Sequence, residues 1–283
     1  MHIGIITCEI LRKEILDLVR ETGVHDVFFV LPEKVNSVTV VPYTQVIDRF
    51  SRAFAADDGL VVKVNAREKI AREIRERALT DSVIVTVLEL RLHTYPEELL
   101  KVIEDGIRHM SSVAEVIVLG YGLCGCSPGA MERVISETPV PVLIPRDSTG
   151  EILNNCIEIA LGKQRVQSLR HEEAGTFFMT PVGAALAGEP QVILESSGSA
   201  TTGRSSNRHD TVGDTQRILQ LMKDHYFRVV KIWYTTADLM DREYALTVKR
   251  FARQFNLDIM RVKGSSKIMR ETAENGGIVP DKL

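Results

Sequence analysis

Short, unbroken runs of Val, Ile and Leu recur along this chain, and the stretches between them carry apolar residues at helical spacing. A strand whose both faces are buried reads as a continuous apolar run, and strands alternating with helices require a parallel sheet covered on both sides. IGIIT before Cys8 is the first run, and EILRKEILDLVRETG after it has the helical period up to Gly23, a stop signal. VFFVL (27–31) is a second strand, closed by Pro32; residues 33–60 mix turn residues with a helix near 43–55, and 66–79 form a charged amphipathic helix. SVIVTVLEL (82–90) leads to His93, and PEELLKVIEDGIRHM has Pro at a first helical position with two Glu behind it. A strand at 115–119 then enters a glycine-rich turn holding Cys124 and Cys126, with a helix over MERVISE beyond. VPVLIP (140–145) is a further buried strand, and ILNNCIEIALG a helical pattern with Cys156 on or near it.

The fold class expected is therefore α/β, with mostly parallel sheets and helices on both faces. A length of 283 residues accommodates either one large unit or two lobes around a crevice. The segments divide into an α/β portion over 1–195, a Ser/Thr/Gly-rich loop or lid over 196–212 containing Arg204 and Arg208, and a C-terminal α/β portion over 213–283. That last portion reads as a helix (213–225), the strand VVKIWYTT, a long amphipathic helix (238–255), the strand LDIMRV and a polar tail.

Composition narrows the functional classes. No apolar stretch approaches the roughly 20 residues needed to cross a bilayer. MHIGIITCEI runs straight into a strand pattern without a charged leader, so the expected location is cytoplasmic. A net charge of -3 with signs interspersed, and no basic stripe, argues against nucleic acid as a partner. Four cysteines are too few for a disulfide scaffold at this length, which leaves them as thiols or ligands.

Ligands in parallel sheets sit beyond the carboxyl ends of the strands. Cys8, His93 and Cys124 each follow a strand, and Cys156 comes shortly after the next, so a site made of these four is expected. Three thiolates and an imidazole suit zinc, iron–sulfur clusters and other thiophilic metals. Two other readings of the same residues stand. Cys8 and Cys156 would serve equally as small buried hydrophobes, with His93 bonded locally. Alternatively, Cys124 is a catalytic nucleophile with His93 as base, in a Cys- or Zn-dependent methyl or thiol transferase or hydrolase acting on a small anion. Whether the chain is an enzyme at all stays open.

Gly120, Gly122 and Gly125 bring backbone close to whatever lies beyond the fifth strand, and the following helix offers free N–H groups to an anion. With Arg146 they are the candidate cofactor-binding residues. The turn has neither the GxGxxG order nor a GK[ST] ending, so its alternative reading is a tight strand-to-helix connection.

Three segments, LHTYPEEL around His93, GYGLCG around Cys124 and GTFFMTP after residue 174, together resemble the bacterial and archaeal domain of unknown function 1638 family, whose members also have an early cysteine like Cys8. The likeness covers roughly residues 1–270. In the family pattern an Ile-Pro-Arg strand is followed by His or Asp directly before a cysteine; here Asn155 stands before Cys156, after the stretch DSTGEILN. The resemblance implies a setting beside corrinoid-dependent methyltransferases in one-carbon metabolism. A metal ion or iron–sulfur cluster, or a corrinoid, is the implied cofactor, and a small-molecule or corrinoid ligand, a corrinoid protein or a methyltransferase the implied partner.

Overall fold

The computed structural model describes residues 1–31, 43–186 and 224–279. Two compact units emerge: Met1–Ile159 with Ser266–Leu283, and Ala160–Ser265. The chain is α/β, and among the described residues both sheets are parallel. Among the described residues no helix is long and apolar enough to cross a membrane.

The first unit is built on a six-stranded sheet: β1 (His2–Cys8), β2 (Asp26–Leu31), β3 (Val61–Ala66), β4 (Ser82–Leu88), β5 (Val116–Gly120) and β6 (Val142–Leu143), in the order β3-β2-β4-β1-β5-β6. β1 is central and pairs with β4 on one side and β5 on the other. Ile3, Ile5, Ile6, Val83, Ile84, Val85, Ile117 and Val118 are almost wholly buried, which is why these strands read as unbroken apolar runs. Helices α1 (Arg12–Thr22), α2 (Tyr43–Ala55), α3 (Arg67–Glu76), α4 (Pro96–Met110) and α5 (Pro128–Ser136) connect them. Gly23 ends α1 at φ 70°, a left-handed stop, and Ser127 caps α5 by accepting the Ala130 N–H at 3.3 Å.

Several expectations are corrected. VPVLIP supplies a strand of only two half-buried residues at the sheet's edge. The helical pattern over ILNNCIEIALG starts late, at α6 (Cys156–Leu161), because Asn155 Oδ1 caps it by accepting from the N–H groups of Ile157 and Glu158. DSTGEILN is largely a hairpin: Arg146 bridges Ile152, Asp147 carboxylate oxygen accepts from the Thr149 and Glu151 N–H groups, and Gly150 turns at φ 86°. The polar tail is helical over Lys267–Asn275 and buries Met269 and Ala273 in the first unit.

In the second unit β7 (Thr176–Met179), β8 (Arg228–Trp233) and β9 (Asp258–Lys263) form a three-stranded sheet. GTFFMTP is thus a strand there. The helix expected over 238–255 divides into Thr236–Met240 and Arg242–Phe255, because Asp241 leaves helical geometry and caps the second by accepting the Tyr244 N–H. The loop or lid at 196–212, with Arg204 and Arg208, and residues 213–223 of the expected helix lie outside the described residues.

A second pairing joins two segments beyond the ends of the strands. The Leu123 N–H donates to Leu153 O at 2.8 Å and the Cys124 N–H to Asn154 O at 2.7 Å, so the chain after β5 runs beside residues 153–154. Only a glycine permits this approach at position 122, where a Cβ would lie 2.5 Å from Leu153 O and 2.6 Å from Asn155 N. Those atoms are backbone and cannot rotate away. Gly122→Ala is expected to destabilise the protein by about 1–3 kcal/mol through forced separation of these segments; an unchanged urea midpoint contradicts the pairing.

Candidate functional site

Parallel pairing of β4, β1 and β5 aligns their carboxyl ends: Cys8 lies level with Leu88, and Thr7 with Gly120. Each strand then delivers one side chain to the same edge. Cys8 closes β1. After β4 a single turn of 3-10 helix, Leu90–Thr94, carries His93. Past β5, Tyr121, Gly122 and Leu123 lead to Cys124, which adopts a left-handed φ of 46°, followed by Gly125 at 89°. The Cys126 N–H closes this turn on Leu123 O at 2.9 Å. A left-handed conformation costs an L-residue roughly 1–2 kcal/mol, so the fold holds Cys124 there against local preference.

The four residues converge. Cys8 is nearly fully buried, and Cys156 and His93 are the groups that act on its thiol. Cys124 is buried, and Cys8 acts electrostatically on its thiol. Cys156, the first residue of α6, is partly exposed. Its position follows from the pairing of 123–124 with 153–154. Among the described residues no three of His, Cys, Asp and Glu stand at metal-holding spacing.

His93 is oriented by its own turn. Its Nδ1 lies 2.7 Å from Leu90 O, and since a carbonyl only accepts, Nδ1 carries a proton. In the neutral ring the lone pair is then on the buried Nε2. An N–H given to a backbone carbonyl is the usual orienting bond of a metal-ligating histidine. Tyr121 stacks on the ring, with centroids 5.6 Å apart and planes 26° from parallel.

Burial governs the thiols. The hydrogen bond to Cys156, then burial, holds the Cys8 pKa well above the ordinary thiol value, with His93 pulling the other way. Burial, then the neighbouring Cys8, pushes Cys124 up as well, against the two N–H groups that favour its thiolate. Cys126 donates to Pro96 O at 3.3 Å and is pushed up to about 11, by burial first and Cys124 second.

The residues expected to bind a cofactor have close protein neighbours. A Cβ at Gly120 would lie 2.7 Å from Thr7 Oγ1, and one at Gly125 2.9 Å from Pro96 Cγ. These glycines, like Gly122, accommodate close packing. Arg146 makes two bonds to the Glu132 carboxylate, at 2.6 and 2.8 Å, and one to Gly150 O. α5 begins at Pro128, four residues beyond Cys124.

Two contributors were not singled out from sequence. Tyr121 lay inside GYGLCG, but nothing in a lone tyrosine indicates that it will stack on a histidine 28 positions earlier. Glu158 is buried and accepts from both the Asn154 N–H and its side-chain amide, which fixes the segment leading to Cys156. Its spacing from Asn154 was the available signal.

Fold and site thus define an α/β protein with a thiol–imidazole cluster at the carboxyl ends of the central strands of a parallel sheet. The family model described as a protein of unknown function, DUF1638, matches residues 87–273, and the chain belongs to that family. No curated protein matches the chain.

An acid whose pKa is higher in the folded than in the unfolded protein stabilises the fold below the unfolded value, and that contribution is lost as pH rises through the folded one. For Cys126 the window runs from the ordinary 9.0 to about 11, and the upward shifts of Cys8 and Cys124 act in the same direction. Metal-free, reduced protein is expected to lose stability as pH climbs from 9 towards 11, in denaturant midpoints compared with a Cys126→Ser variant, which should lose less. A wild-type midpoint that rises across this interval contradicts the assignment.

Proposed function

We propose that Cys8, His93, Cys124 and Cys156 bind a thiophilic metal, zinc or an iron–sulfur centre, and that the protein works through it. What supports this reading is that Cys8, the turn carrying His93 and the loop carrying Cys124 leave aligned strand ends, with the segment leading to Cys156 drawn alongside by backbone bonds, and that His93 is pre-oriented. The chemistry of the donor set fits. Soft sulfur matches such metals, and a cation would replace the proton that burial otherwise keeps on Cys8 and Cys124.

When bound, the metal would hold its ligands as thiolates and supply a Lewis acid or redox centre. The chain's own residues do the rest. Leu90 O fixes the His93 tautomer, Tyr121 covers one face of the ring, and the bonds from 123–124 to 153–154 hold Cys124 beside the segment that leads to Cys156. Cys156, as the partly exposed member, faces the approach of metal or ligand. The use of such a centre in corrinoid-dependent methyl transfer is the role that the family resemblance suggests.

Cys124 as a free nucleophile is less well supported, because burial and Cys8 push its thiol up rather than down, and attack requires the thiolate.

Anaerobically purified protein is expected to contain zinc or iron in stoichiometric amount, and Cys8→Ser or Cys124→Ser to lose it while Cys126→Ser retains it. Elemental analysis with an anaerobic absorption spectrum separates a cluster from zinc. Metal-free wild type that takes up neither zinc nor iron when reconstituted overturns the proposal.

A further inference from the structure

Helix α4 carries a charge pattern that its own chain does not answer. Leu99, Ile103, Ile107 and Met110 are its buried residues. Glu97, Lys101, Glu104 and Arg108 are all exposed and alternate in sign. At 3.6 residues per turn these four positions fall within about 60° of one another, in a single stripe about 16 Å long. The stripe borders a groove of about 500 Å³, which Leu100, Ile107 and Val134 also line and to which α5 adds Arg133 and Glu137. Among the described residues, the side chains of Glu97, Lys101 and Glu104 make no hydrogen bond or ion pair. Arg108 pairs with Asp105, off the stripe.

The acidic side chains lining the groove are Glu97, Glu104 and Glu137, and the basic ones Lys101, Arg108 and Arg133. Signs so balanced select neither a polyanion nor a polycation. They select a surface with the same alternation in reverse order, and the stripe itself, read backwards, is such a surface. We propose that the α4 face is an interface between two copies of this chain, packed antiparallel about a twofold axis that passes between Lys101 and Glu104. In that arrangement Glu97 faces the partner's Arg108 and Lys101 faces the partner's Glu104, and the symmetry repeats both contacts. A parallel arrangement would oppose like charges, and no other antiparallel register pairs all four positions. Exposed ion pairs add little affinity singly but fix orientation and register, while the partly buried Leu100 supplies apolar surface.

Charge exchange between positions 101 and 104 tests this on the full-length protein, by analytical ultracentrifugation. Neither position is a proposed metal ligand, so the outcome is independent of the metal reading. Wild type is expected to be a dimer that weakens as NaCl rises from about 0.05 to 1 M, because screening shortens the reach of the pairs. Lys101→Glu and Glu104→Lys each turn two attractive contacts into repulsive ones, and each alone is expected to weaken dimerisation about tenfold or more. Combined in one chain, the two substitutions restore it. An equimolar mixture of the two single variants is also expected to dimerise, because each then meets its opposite in the other. Circular dichroism verifies that these surface variants are folded. Wild type that stays monomeric up to about 1 mM leaves the groove to a different occupant and overturns the proposal. So does a dimer that both single variants leave intact, or a mixture no more associated than its components.

Discussion

Everything at the candidate site depends on the parallel pairing of β4, β1 and β5. Parallel neighbours end at the same level, so Cys8, the turn carrying His93 and the loop carrying Cys124 leave the sheet at one edge without any local sequence motif linking them. A parallel sheet buried on both faces also makes that edge a dry place, and the strands beneath it are nearly solvent-free. Cys156 joins by a different device, the backbone bonds between 123–124 and 153–154, which demand glycine at position 122.

That dryness sets the chemistry. A buried thiol keeps its proton because the charged form loses its hydration, and both Cys8 and Cys124 are shifted in this direction. Thiols used only as small hydrophobes need no orientation. Here Cys124 sits in a left-handed conformation, and His93 is turned by Leu90 O. These features are better matched to groups that become charged ligands than to packing alone.

Much of the architecture was legible because buried parallel strands announce themselves as Val/Ile/Leu runs: 27–31 and 82–90 lie within a residue or two of β2 and β4, and Pro96–Met110 matches its helical pattern. β3 escaped because, lying at the sheet's edge and partly exposed, it lacks such a run. The helix Lys267–Asn275 was hidden by its charged face, which outweighs the buried Met269 and Ala273 in composition. At the candidate site, the strand-end placement of Cys8, His93 and Cys124 was legible. Tyr121 and Glu158 were not legible, since their roles come from stacking and from a hairpin whose geometry a linear reading does not contain.

The central claim is that three thiolates and one imidazole share a single metal. X-ray absorption at the zinc edge of the reconstituted, reduced protein tests it directly. The account predicts a first shell of three sulfurs at about 2.3 Å and one nitrogen at about 2.0–2.1 Å, with a sulfur lost in Cys124→Ser. A shell of nitrogen and oxygen alone, or one unchanged by that substitution, would contradict it.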